Sequence, residues 1–356
     1  MDPLTQGLLG AAAAQAVLGT RAPRRVFLAG LLGGWLPDLD ILIRSATDPL
    51  VGIVYHRHFT HSVFFVPIGA AIVAGAMAAV PRWRADWRTV YTAALLGVAS
   101  HAPLDALTSY GTLLWWPLSN TRVAWDALPI IDFIFTPILL LGVIAALWTR
   151  RATAARVALA AAAVYTAWGF VQNHRALGAL DRMARADGAT ITARRAMPQP
   201  GLPVVWRLVW RDETTIHYGV ARTPLLGAVV SRRGGGVPIA RADDLPAPWN
   251  EDPARRRAFE TFDWFTDGFS GWVADAEGPV QGDFRYAPLG DGVPMWGLQF
   301  TSDGEPPWRR WSGPSRGELA RRQWNALRGR LPELRAADET TTPKTAAEPE
   351  PRDPDR

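Results

Sequence analysis

The sequence predicts a polytopic all-α membrane domain of about six helical segments followed by a small soluble α+β domain. Three observations carry this prediction. Residues 4–173 hold repeated long apolar runs broken by short charged connections, whereas the remainder is polar and rich in Trp, Pro and Gly. The near-zero mean hydropathy is therefore an average over two unlike halves. The titratable residues of the first half also stand at or near the ends of its apolar runs.

Residues 4–18, LTQGLLGAAAAQAVL, read as a helix of small residues. No basic residue precedes its apolar run, unlike a secretory signal, so the segment is expected to be retained. Residues 26–43 approach a crossing length but carry Asp38 and Asp40 just after Pro37. A carboxylate at membrane depth is costly unless it faces protein or a cation. Residues 62–80 form a clear apolar span, and residues 89–107 form another that is interrupted by His101 and Asp105. Pro103 would bend this second span. The link 108–127 contains Trp115, Trp116 and Trp125, which suit a lipid–water interface. Residues 129–148, with Asp132 near their start, and 157–171 complete the set.

Arginine-rich connections at 21–25, 81–88 and 150–156 alternate with those that carry the histidines and tryptophans. The positive-inside rule assigns the arginines to the cytoplasm. If all six segments cross, the chain is a multi-pass membrane protein with the N-terminus, the histidine-bearing connections and the C-terminal domain on the outer, extracytoplasmic face.

From residue 187 the pattern changes to short strands at 189–195, 203–211, 214–222 and 226–231, with breaks at 198–203 and 232–238. A helix over 252–265 would present Phe259, Phe262 and Phe265 on one face. Strands at 280–286 and 294–301 and a helix at 316–327 follow. The expected units are a helical membrane domain over 1–175, an α+β domain over 187–329 and a polar, disordered tail over 330–356.

Composition narrows the function. A chain of 356 residues is long enough for two domains, and with no cysteine it has neither disulfides nor thiolate metal ligands. Apart from Lys344 its basic residues are dispersed arginines, and the net charge is only +5, so nucleic acid is not an expected partner. The C-terminal half shows no nucleophile elbow, P-loop or dinucleotide fingerprint. His174 and His217 are isolated there, and Gly234-Gly235-Gly236 reads as a flexible turn. Its tryptophans would fill a small core or form a platform against the membrane or a partner.

The stretch His56-Arg57-His58-Phe59-Thr60-His61-Ser62 holds three of only six histidines in the chain. His101 and Asp105 are four residues apart and so share a helix face. Together with Asp38 and Asp40, the residues His56, His61, His101 and Asp105 form a candidate metal site of nitrogen and oxygen donors. That donor set suits zinc first, with manganese or iron also compatible. Asp38 or His58, where not coordinated, would serve as general base, and Arg57 would steady an anionic substrate group or bind membrane-lipid phosphate nonspecifically. Asp126 and Asp132 are secondary candidates. Each residue also has a plainer role: the carboxylates as helix caps or partners of Arg44 and Arg57, the imidazoles as interfacial hydrogen-bonding groups, and His101 with Asp105 as a polar pair inside a bundle.

The first half resembles the family of predicted membrane-bound metal-dependent hydrolases, which includes an inner-membrane protein under SOS control in enteric bacteria. Thr5-Gln6-Gly7, Leu36-Pro37-Asp38-Leu39-Asp40, His56-Arg57 with Thr60-His61-Ser62, and His101-Ala102-Pro103-Leu104-Asp105 with Tyr110-Gly111 carry the resemblance. It implies a divalent metal held by the matching Asp and His residues, and hydrolysis. The metal would act by activating water, and the expected location of the site at the membrane, rather than the resemblance, favours a lipid-linked or phosphoester envelope substrate. A common form of the family pattern has a small residue where His58 stands. The competing readings are a nonenzymatic envelope scaffold that recruits a partner through the Trp-rich domain, and a transporter whose pathway the polar residues line.

Overall fold

A computed structural model of the protein describes residues 1–331, apart from 20–22, 275, 277, 290, 291, 314 and 315. The expected disordered tail lies, from residue 332 onward, outside the described residues.

The first half is helical. Helix α1 (Pro3–Leu18) is capped by Asp2, whose Oδ1 accepts from Thr5 N at 3.0 Å. Proline in the first turn costs nothing there, because that N–H has no intrahelical acceptor. Helix α2 (Pro23–Trp35) stops where Pro37 enters. The chain then tightens into a 3₁₀ turn, Leu36–Leu42, which carries Asp38 and Asp40. Residues 26–43 are therefore the end of a helix followed by a 3₁₀ turn rather than one continuous helix. A short helix that the sequence pattern did not reveal, α3 (Pro49–Tyr55), leads to the histidine stretch. Helix α4 (Val66–Ala78) and helix α5 (Trp87–Ala106) follow, and α5 runs on through Pro103.

Helix α6 (Phe135–Thr149) begins where Asp132 accepts from Ile134 N and Phe135 N, both at 2.8 Å. Helix α7 (Ala152–Ala186) has 35 residues, about 52 Å at 1.5 Å per residue. That exceeds a hydrocarbon core of about 30 Å, and α7 passes through the expected domain boundary at 175 into the C-terminal half. Among the described residues α7 is the one helix both long and apolar enough to cross a membrane, and Pro49–His61 with Val63–Ala78, bent by 58°, makes a second candidate.

Helix α1 is central, packing against α2, α5, α6 and α7, while α4 packs on α5. The close approach depends on glycine. A Cβ on Gly30 would lie 2.5 Å from Gly10 O, and one on Gly97 would lie 2.3 Å from Gly30 O. Backbones of α1, α2 and α5 thus touch directly, as small residues permit between helices. Arg25 pairs with Asp86, and Arg156 Nε donates to Ala16 O at 2.9 Å. These contacts gather the arginine-rich connections at one end of the bundle. Asp38, His101 and Asp105 lie at the other.

The C-terminal half contains two four-stranded antiparallel sheets, ordered β1-β2-β3-β4 and β5-β6-β7-β8. Strands β1 (Ala193–Pro198), β2 (Val205–Arg211), β3 (Thr215–Arg222) and β4 (Val230–Pro238) form the first. The extension of α7 supports it, with Ala176, Ala179, Leu180 and Ala184 packed against Trp206, Leu208 and Trp210. Residues 232–238, expected as a break, belong to β4. Glycine is needed there for packing rather than turning, since a Cβ on Gly234 would come within 2.4 Å of the Tyr218 ring.

Helix α8 (Pro253–Phe265) buries Phe259, Phe262 and Phe265 with Leu298 and Phe300 of the second sheet, and α3 docks on the same core through Leu50 and Ile53. The second sheet comprises β5 (Ser270–Trp272), β6 (Val280–Asp283), β7 (Trp296–Phe300) and β8 (Trp308–Ser312), and helix α9 (Arg316–Leu327) follows it.

Candidate metal centre

Four of the six expected ligands converge. Asp38, His61, His101 and Asp105 each present one donor atom, and all four atoms lie within 4.8 Å of one another. His61 Nε2 and His101 Nε2 are 2.9 Å apart. Asp105 Oδ2 is 3.2 Å from His61 Nε2 and 3.6 Å from His101 Nε2. Asp38 Oδ1 is 3.5 and 3.4 Å from the same two nitrogens. A tetrahedral ion with bonds of about 2.0–2.1 Å has donor–donor edges of about 3.3–3.4 Å. The five distances scatter around that edge, so the residues fit a divalent cation.

The surrounding hydrogen bonds fix which ring nitrogens turn inward. His101 Nδ1 lies 2.6 Å from Gly34 O, a pure acceptor, so Nδ1 carries the proton. His61 Nδ1 faces Asp40 Oδ2 at 3.1 Å and Thr60 Oγ1 at 3.0 Å, and the Thr60 hydroxyl itself donates to Asp40 at 2.8 Å. With Nδ1 of each ring engaged in this way, each Nε2 turns inward. Two ring nitrogens and two carboxylate oxygens then point at one small volume, which requires protons or a cation between them. Orientation of ligand imidazoles by a carbonyl and a carboxylate is the usual arrangement behind metal sites.

Asp105 is prepared in the same way. Its Oδ1 accepts from Gln6 Nε2 at 2.8 Å and from the Met1 ammonium group. Its Oδ2 is buried without an aligned hydrogen bond and faces the imidazoles. Arg57 Nε stands 3.0 Å from that oxygen, and its guanidinium lies over the Tyr110 ring at 4.7 Å. Arg57 is itself buried, so it balances charge at Asp105 and has little surface to offer a substrate.

The other two expected ligands sit one contact behind. Asp40 accepts from His56 Nδ1 at 2.8 Å, Arg57 N at 2.9 Å, Thr60 Oγ1 and His61 Nδ1. His56 turns its ring toward Asp40, Tyr110 and the edge of His61, and it is not one of the four converging donors. Asp40 thus organises the loop that aims His61. Asp40→Asn is expected to weaken metal affinity by about 10–100-fold, the usual cost of losing such a partner. Competition with a chromogenic chelator reads this directly, and unchanged affinity would show that Asp40 does not orient the site.

The remaining candidates are elsewhere. The His58 ring packs at a tilt against Trp116 and Tyr55 and edge-on against Phe59, and its Nδ1 has no hydrogen-bond partner among the described residues. Asp126 binds Arg195 through both oxygens at 2.7 and 3.0 Å, tying the 107–134 connection to β1. Burial pulls the Arg195 guanidinium down, but Asp126, with help from Asp267, more than offsets this and holds its pKa above the ordinary value. Asp132 is the cap of α6 and also accepts from Tyr165 OH at 2.9 Å. Both secondary candidates are thus engaged in structure. His217, expected to be isolated, pairs with Asp212 at 3.0 Å.

Spacing alone did not reveal Gln6 and Gly34. Thr5-Gln6-Gly7 gains a physical reason, since Gln6 holds Asp105 and a Cβ on Gly7 would strike the Trp35 indole at 2.5 Å. Tyr110-Gly111 gains one too. Gly111 has φ +91 and abuts Arg122, whose guanidinium lies 5.2 Å from the Tyr110 ring centroid.

Residues 1–176 match the family described as YdjM inner membrane protein. Inner membrane protein YbcI of Escherichia coli (strain K12) is 30% identical over an alignment 125 residues long that covers 33% of this chain and 69% of that protein. No solved structure matches. Both descriptions concern inner-membrane proteins, and neither names a reaction.

Proposed function

We propose that this chain, which belongs to the YdjM inner membrane protein family, is a metal-dependent hydrolase acting at the membrane on a lipid-linked or phosphoester envelope substrate. The observation that carries the reading is an asymmetry among the four donors. The side chains of His61, His101 and Asp105 are fully buried, whereas that of Asp38 is 24% exposed. Three fixed donors and one on the open side suit a catalytic site, in which one position must remain available.

Zinc is the first choice for two imidazoles and two carboxylates, with manganese and iron as alternatives. When bound, a divalent ion there supplies Lewis acidity, which acidifies water and polarises a phosphoryl or acyl oxygen. With an ion held by His61, His101 and Asp105 and the fourth position left to water, Asp38, at the exposed corner, is the group positioned to accept the proton. His61, His101 and Asp105 hold the geometry, and Arg57 limits the charge that accumulates at Asp105. His58, packed among aromatic rings, borders the site rather than acting as its base.

The same reading takes the six segments as crossings. The three arginine-rich connections meet at the end away from Asp38 and Asp105, so the positive-inside rule sets the donors and the C-terminal sheets toward the extracytoplasmic side. The C-terminal domain is then available to an envelope partner or to the substrate.

Asp38→Asn tests the mechanism, because an amide oxygen can still approach the ion but the side chain can no longer accept the proton. Metal-loaded native protein is expected to hydrolyse simple phosphodiesters or acyl esters, with the variant about 10²–10⁴-fold slower. A second reading, a nonenzymatic scaffold, is favoured by the fact that four protein donors can close a structural tetrahedral site. Metal binding without turnover of either ester class, together with a loss of stability in the variant, would select the scaffold.

A further inference from the structure

We infer that the groove between α2 and α6, at the arginine-rich end of the bundle, is a binding site for an anionic phospholipid. It is lined by Pro23, Phe27, Leu28, Ile144, Leu147 and Trp148, and it is bounded by Arg24 and Arg150. Its volume of about 590 Å³ falls within the range of small-ligand sites.

Two features separate this groove from an ordinary lipid-facing surface. Arg24 and Arg150 come from the ends of different helices, yet they face one cavity, and no carboxylate lines it. Nearby arginines are already engaged: Arg25 with Asp86, and Arg156 with Ala16 O. Arg24 and Arg150 have no ion-pair partner among the described residues. A phosphate between them would be held by two charged groups. The apolar lining runs from that mouth along α6 toward membrane depth, with Ile144 50% and Trp148 88% exposed in the bare protein. Acyl chains would cover those side chains while the headgroup stays at the arginines. Basic clefts between membrane helices on the cytoplasmic side recognise anionic headgroups in this way.

The inference rests on the proposed orientation in the membrane and does not depend on hydrolysis, since the groove is at the opposite end from Asp38 and Asp105. Native mass spectrometry of the detergent-solubilised full chain, titrated with dioleoylphosphatidylglycerol or dioleoylphosphatidylcholine, tests it. The anionic lipid is expected to be retained at least tenfold more tightly, and Arg24→Gln/Arg150→Gln is expected to abolish that preference. Arg84→Gln/Arg88→Gln, which removes the same charge from the same end outside the groove, should preserve it. Glycerol phosphate, a headgroup without chains, should not displace the lipid. Equal retention of both lipids, a preference that survives in the Arg24/Arg150 variant, or displacement by glycerol phosphate at equal concentration would overturn the assignment.

Discussion

Gly30→Leu is expected to abolish both the assembled bundle and the metal centre. A single Cβ at Gly30 would already sit 2.5 Å from Gly10 O, 2.7 Å from the Ala14 Cβ and 3.0 Å from the Ala11 Cα. Two of these neighbours are backbone atoms, which cannot swing aside as a flexible side chain would. Leucine would have to push α1 from α2, and α5 would follow because Gly97 packs against Gly30 O. Overpacking of a tight core costs about 1–3 kcal/mol or more. Here the displaced elements also carry Gln6, Asp38, His101 and Asp105, so a shift of about one ångström would disperse the donors. Gly75→Leu is the matched control, because nothing lies within 4 Å of a Cβ at Gly75. Thermal unfolding and metal content should both collapse for Gly30→Leu and stay near native for Gly75→Leu. Equal behaviour of the two variants would contradict the three-helix contact.

The second large effect belongs to the imidazoles. His61→Ala/His101→Ala removes half of the converging donors while leaving Asp38, Asp105, Gln6 and Arg57 in place. Four-ligand zinc sites bind with about 10–16 kcal/mol, so losing half the set should weaken affinity by several orders of magnitude. A ligand at 100 times its Kd raises stability by about 2.7 kcal/mol. Zinc should therefore raise the melting temperature of the native protein and leave the double variant unmoved. A shift of equal size in both would locate the ion elsewhere.

The donors were legible in the sequence for a simple reason. His101 and Asp105 are at helical spacing, and Asp38 and His61 flank apolar runs, so a carboxylate or imidazole at such a place needs a partner. The division of labour among them was not legible. Asp40 and His56 have the same chemistry as the ligands, and only the 3₁₀ turn after Pro37 and the loop at Arg57, with φ 63, decide which side chains turn inward. Gln6 is nearly a hundred residues from its acceptor Asp105, a contact that no local pattern encodes.

In the fold, the helical half and the aromatic face of α8 followed directly from periodicity. The glycine-rich strand β4 did not, because Gly234 and its neighbours were read by their freedom to turn rather than by the ring of Tyr218 above them. Strands β5 and β8 also escaped, being short and tryptophan-bearing without clear alternation. Helix α7 extends beyond its apolar run because Ala176, Ala179 and Ala184 bury against a sheet, and burial of that kind leaves little trace in hydropathy.

Element-resolved metal analysis of the detergent-purified chain beside His61→Ala/His101→Ala, with the fold of both verified, tests the central claim most directly. Close to one divalent ion per native chain, absent from the variant, is the predicted result. A native protein that holds no ion after purification without chelators, and that cannot be reloaded with zinc, manganese or ferrous iron, would contradict the metal centre and the hydrolase built on it.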